Sequence, residues 1–129
     1  MSVDVDLKKK CAILTIKWCK VNMGVNKRRK QQLKISVRIR FKHKDDLKYY
    51  GVYYPDENRI IVYSKNCLTL EKVVETIIHE YTHYLQSSKK YFDFSKTHTY
   101  DDHPYEKEAN KNQTKHTKVC FNEIKALIQ

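Results

Sequence analysis

His79, Glu80 and His83 stand in the run His79-Glu80-Tyr81-Thr82-His83, the pattern H-E-x-x-H. On a helix, residues four apart lie one above the other, so both imidazoles can reach one ion. Imidazole nitrogen suits zinc, which prefers four tetrahedral donors. Glu80 lies about 100° round the helix from His79. That is too far for the same apex but close enough to reach a metal-bound water, for which it would be the general base. In a chain with six histidines, random ordering gives this pattern on the order of once in 70 such chains.

A catalytic zinc needs a third protein ligand and one open position. The best candidate is Glu106, in Pro104-Tyr105-Glu106-Lys107-Glu108-Ala109-Asn110. It falls in the first turn of a helix, and Ala109, one turn on, is small enough to let two helices approach. Asn110 could accept a hydrogen bond from the far nitrogen of a zinc-bound histidine. Glu108, His98, Asp101, Asp102 and His103 are the other candidates, because zinc takes imidazole and carboxylate alike. For the donor that an oxyanion needs, Tyr100, His98, His103 and Tyr105 stand open.

These groups require elements to carry them. Apolar residues from Val73 to Leu85 gather on one side of a helix expected over Leu70–Ser87, with Thr69 as N-cap. His79 and His83 fall on its polar side, with Thr76 and Gln86. A helix from Pro104 close to the C-terminus carries Glu106, with Ala109, Gln113, His116, Cys120, Ile124 and Leu127 inward. Between the two lies an expected loop, Ser88 to His103, rich in Tyr, Phe, Asp and His.

Upstream, Leu7, Cys11, Leu14, Trp18 and Val21 make one helical stripe, ended by Gly24. A strand over Ala12–Trp18 is the other reading of that segment. Asn26 to Gln32 is a basic loop. Leu33 to Phe41 alternates apolar with basic or polar residues, the period of a half-buried strand. Lys44-Asp45-Asp46 is a turn, Leu47 to Tyr54 a second strand, Pro55-Asp56-Glu57-Asn58 a turn and Arg59 to Tyr63 a third strand. The expectation is an antiparallel three-stranded meander in a single α+β domain spanning residues 1–129.

The net charge is +11, and all of the excess lies in residues 1–50, with 15 Lys/Arg against 4 Asp/Glu. Such a one-sided field suits a polyanion, nucleic acid among them, or a solvated face. Cys11, Cys19, Cys67 and Cys120 form no C-x-x-C pair, so a cysteine zinc knuckle is not expected. No run approaches the ~20 apolar residues of a membrane span. The start MSVDVDLKKK is not a secretory signal, and the expected setting is cytoplasmic.

The sequence resembles the gluzincin-type zinc metallopeptidases, nearest their minimal ImmA/IrrE-like forms and the small H-E-x-x-H peptidases of phage and bacterial genomes. The matching residues are Ile78-His79-Glu80-Tyr81-Thr82-His83-Tyr84-Leu85-Gln86 and the E-x-x-A-N run Glu106-Lys107-Glu108-Ala109-Asn110, within about residues 47–112. Lys111-Asn112-Gln113 stand where such chains often have Phe-Ala, and no helix-turn-helix precedes. The resemblance implies a minimal zincin-like fold with one zinc ion on His79, His83 and Glu106, and Glu80 activating water. It also implies a peptide substrate paired with an edge strand within Tyr49–Tyr54 or Arg59–Tyr63, where Gly51 would permit close approach. The alternative is a basic nucleic-acid-binding module with a structural or vestigial zinc, resting on Lys34, Arg38, Arg40 and Lys42 along one strand face. An inactive peptidase fold serving as an interaction domain is a third.

Overall fold

A computed structural model describes residues 4–41 and 47–128. The expected turn at Lys44-Asp45-Asp46, and Lys42 of the basic strand face, lie outside the described residues. The fold is α+β. Its elements in chain order are α1 (Val5–Asn22), β1 (Lys34–Arg38), β2 (Gly51–Tyr54), β3 (Arg59–Tyr63), α2 (Leu70–Leu85), α3 (Ser88–Ser95) and α4 (Pro104–Ile128). No helix among the described residues is long and apolar enough to cross a membrane.

The sheet corrects the expected meander. Its order is β1-β3-β2, with β1 parallel to β3 and β2 antiparallel to β3. Asn58 supplies the reason. It closes the turn between β2 and β3 with φ at +48°, a conformation asparagine tolerates. Its backbone oxygen accepts from the Lys34 N–H (2.9 Å), and its side chain donates to the Gln31 oxygen (2.8 Å). The start of β1 is thereby tied beside the start of β3, which makes the two strands parallel. Ile60, Ile61, Val62 and Tyr63 are all buried. A strand buried on both faces is central, and its run is continuously apolar rather than alternating.

α1 forms, but its inner face is turned from the expected stripe. Leu7 is 38% and Val21 84% exposed, whereas Lys8, Cys11, Ala12, Thr15, Ile16, Trp18 and Cys19 are buried. Small side chains on that face let α1 close on α2 and α4. Asp4 caps the helix, accepting from the Asp6 N–H, and Gly24 leaves it with φ at +90°. The buried Lys8 ammonium donates to the Ser64 carbonyl (2.8 Å) and hydroxyl (3.1 Å). This ties α1 to the segment between β3 and α2.

β1 ends at Arg38, so Ile39 is exposed, and β2 begins only at Gly51. Leu33, Ile35 and Val37 pack against the core. α2 buries Val73, Val74, Ile77, Ile78, Tyr81 and Tyr84, and the Lys72 N–H donates to the Thr69 hydroxyl (3.0 Å) at its N-cap. On α4, Ala109, Cys120 and Ile124 are buried as expected; Leu127 is exposed and Ile128 takes the inward place.

Candidate metal centre

The polar side of α2 faces the first turns of α4. His79 Nε2 lies 3.1 Å from Glu106 Oε1, and His83 Nε2 lies 3.2 Å from Glu106 Oε2. The two imidazole rings meet edge to face, centroids 5.1 Å apart. One donor atom from each of His79, His83 and Glu106 lies within 4.8 Å of the others. Glu106 is buried, and the His79 and His83 side chains are 13% and 11% exposed. Donors bonded to one zinc at ~2.0–2.1 Å in tetrahedral array are roughly 3.3 Å apart. The imidazole–carboxylate separations, one to each oxygen of Glu106, are near that length, and one donor atom from each residue lies within 4.8 Å of the others, so two imidazoles and a carboxylate offer suitable donors close to the spacing the ion needs.

The far side of each imidazole fixes its proton. Gln113 Nε2 donates to Glu75 Oε1 (2.7 Å), so its amide oxygen faces His79 Nδ1 (2.9 Å). Gln86 Nε2 donates to Glu108 Oε1 (2.6 Å) and to the Tyr105 carbonyl (3.0 Å), so its oxygen faces His83 Nδ1 (2.7 Å). Carboxylates and carbonyls only accept, which fixes both amide orientations. Each Nδ1 must then carry a proton, and each Nε2 is left pointing at the common centre. That is the tautomer a metal needs. Asn110 does not make the expected bond; it is exposed on the wall of the cleft. The missed residues carried a signal in their spacing: Gln86 is three after His83, and Gln113 is seven after Glu106, each on one helical face.

The expected loop Ser88–His103 contains α3, which brings another missed residue, Tyr91. Its hydroxyl donates to Glu106 Oε2, and its ring packs edge-on against His83 (5.3 Å) and lies tilted over the His103 ring (4.0 Å). His103 is buried and structural. Its Nε2 donates to the Tyr91 carbonyl (2.9 Å), and its Nδ1 accepts the Tyr105 N–H at the start of α4 (3.1 Å). His98, Asp101 and Asp102 are exposed outside the cluster, and Glu108 is held by Gln86. Tyr100 lines the same cleft as Glu106; the Tyr105 ring packs on Phe94.

Glu80 stands beside the cluster, its Oε2 3.9 Å from His79 Nε2. Burial, helped by the Glu106 charge and opposed by the two imidazoles, raises its carboxyl to about 7. Burial also raises Glu106, but the hydrogen bonds from His79 and His83 win and hold it well below the carboxylate range. For both histidines burial lowers the pKa, yet the Glu106 bond and the neighbouring carboxylates leave it raised.

The cluster lies at the floor of a groove. Two clefts, of about 580 and 530 Å³, share Tyr49, Gly51, His79, Glu80 and Tyr100. They run along β2, an edge strand of the sheet. Gly51 is required there by packing within the fold: a Cβ would lie 2.6 Å from Thr76 Cγ2 and 2.7 Å from the Ile61 carbonyl oxygen. The close approach is of β2 to α2 and β3.

A family model described as a protein of unknown function (DUF3920) matches residues 32–123. The chain belongs to the DUF3920 family. The matched DUF3920 segment runs from just before β1 to near the end of α4 and includes His79, Glu80, His83 and Glu106. No curated protein and no solved structure matches the chain.

Proposed function

We propose that the chain is a zinc-dependent metallopeptidase of the zincin-like, gluzincin type. The observation that carries this reading is the meeting of His79, His83 and Glu106 at one point, with Glu80 alongside, on the floor of a groove that follows an edge strand. A zinc ion on those three side chains would supply Lewis acidity at a peptide carbonyl. Glu80 takes a proton from the attacking water and returns it to the leaving amine. An elevated carboxyl pKa suits that double duty, because a general base works best near the operating pH. The peptide lies extended against β2 and pairs with its free edge. Tyr100, which lines both clefts, is the oxyanion donor best placed for a substrate in the groove. All four cysteines are free and buried, which fits a reducing compartment such as the cytoplasm.

The test is hydrolysis of a quenched fluorescent peptide library by zinc-loaded protein. Wild type cleaves, and Glu80→Gln retains its zinc and loses at least ~100-fold in kcat. Equal turnover by the two proteins would end the proposal.

The charge excess favours a second reading, nucleic-acid binding. Lys9, Lys10, Lys17 and Lys20 all lie on the exposed side of α1. A steep loss of affinity with salt would support it; no binding of DNA or RNA at low salt would remove it.

A further inference from the structure

Lys27-Arg28-Arg29-Lys30 takes no part in the metal cluster, yet the fold fixes this run next to it. Asn26 donates from its backbone to the Tyr84 hydroxyl (3.1 Å) and from its side chain to the Tyr84 carbonyl (2.9 Å). The Arg28 N–H donates to Asn26 Oδ1 (3.0 Å). The Arg29 guanidinium lies over the Tyr53 ring and donates to the Pro55 carbonyl (3.1 Å) and the Ser88 hydroxyl (2.6 Å). The loop is thus fastened to α2, to the β2–β3 turn and to α3.

It forms one wall of a cleft of about 770 Å³ lined by Lys27, Arg28, Arg29, Lys90 and Glu108 among others. Four cations face one carboxylate there, and Gln86 already occupies that carboxylate. Lys27, Arg28 and Lys90 are exposed and pair with no acidic group among the described residues. The first turn of α3 carries no acid, so nothing within it offsets Lys89 and Lys90 at its positive end. The cleft shares Gln86, Ser87 and Ser88 with the groove over the cluster, and Gln86 holds His83.

We propose that this cleft is an exosite for acidic side chains of the substrate, so that polypeptides with Asp or Glu on the His83 side of the scissile bond are preferred. The inference rests on the peptidase reading above. A carboxylate entering the cleft meets several unpaired cations at once, while the same extended chain continues into the groove. A nucleic-acid strand would meet the cations but would leave the groove along the β2 edge unused.

The experiment uses the full zinc-loaded chain and two extended peptides with one common apolar centre. One carries Asp/Glu on both flanks, the other Asn/Gln. The acidic peptide should be preferred about tenfold in kcat/KM, mainly through KM, the product of two or three screened ion pairs. The preference should fade at about 1 M salt. It should fall below about twofold when Lys27→Glu and Arg28→Glu are combined, and by about half with Lys90→Gln alone.

Equal kcat/KM for both peptides in wild type overturns the exosite and leaves the peptidase reading intact. If neither peptide is cleaved, the peptidase reading fails, and fluorescence anisotropy on Glu80→Gln decides the exosite by itself. Binding of the acidic peptide that is lost on adding Lys27→Glu and Arg28→Glu supports it, and absence of binding overturns it. Tighter binding of a single-stranded oligonucleotide of equal charge overturns it in favour of a nucleic-acid site.

Discussion

Gln86 and Gln113 each hold the outer nitrogen of an imidazole, and each is itself held by a carboxylate. Their exchange for leucine removes the acceptor that fixes the tautomer. Zinc affinity should fall about 10–100-fold in Gln113→Leu, read by chelator competition, with little change in melting temperature. An unchanged affinity would mean that the amide does not orient His79. The same chemistry sets a pH dependence. Zinc must displace the proton at each Nε2, and Glu106 holds both imidazole pKa values above their usual place. Protons therefore compete from above the ordinary histidine range downward, so zinc binding weakens as pH falls, with up to about two protons released per ion. Calorimetry in buffers of different ionisation enthalpy counts them; binding that is flat across about pH 6–8 would contradict the assignment of the ligands.

The elements that place these residues were unevenly legible. The 3.6-residue apolar period of α2 was strong enough to give the apolar part of its buried face, Val73, Val74, Ile77, Ile78, Tyr81 and Tyr84, but not the buried Thr76 and Thr82, and the H-E-x-x-H spacing put both imidazoles outside that face. α3 was not legible. Ser87 reads as the tail of α2, but its hydroxyl accepts the Lys90 N–H (3.2 Å) and caps a new helix. That short helix has no buried residue, so no apolar period marked it. The sheet order failed for a related reason: hairpin logic pairs neighbours in sequence, whereas the Asn58 tie that brings β1 to β3 is a long-range hydrogen-bond pattern. The unbroken run Ile60-Ile61-Val62-Tyr63 was the available sign that β3 is central. Gly51→Ala tests how tightly β2 is set against α2. Its methyl meets a backbone oxygen at 2.7 Å, so stability should fall by about 1–3 kcal/mol in urea unfolding. A loss within error of zero would show that the strand can retreat freely.

For the whole molecule, the charge asymmetry divides into parts with different work. Lys8 and Arg29 are bound into the fold, whereas Lys9, Lys10, Lys17 and Lys20 of α1 face solvent. Sequence counting could not separate these, because burial of Lys8 depends on where Ser64 lies. The metal cluster joins α2 to α4, two helices separated in the chain by α3, so an ion there should stabilise the packed form. Zinc at a hundredfold excess over its dissociation constant adds about 2.7 kcal/mol. Scanning calorimetry should show melting about 10 °C higher with zinc than after chelation. Identical melting curves would mean that no ion binds the folded chain.

The most direct test is the zinc stoichiometry of the purified chain, by mass spectrometry and elemental analysis, for wild type, Glu80→Gln, Glu106→Ala and Glu108→Ala. One ion per chain is expected in wild type, Glu80→Gln and Glu108→Ala, and less than about a tenth of that in Glu106→Ala. A wild-type chain that takes up no zinc, or a Glu106→Ala chain that keeps all of it, would contradict a centre built from His79, His83 and Glu106.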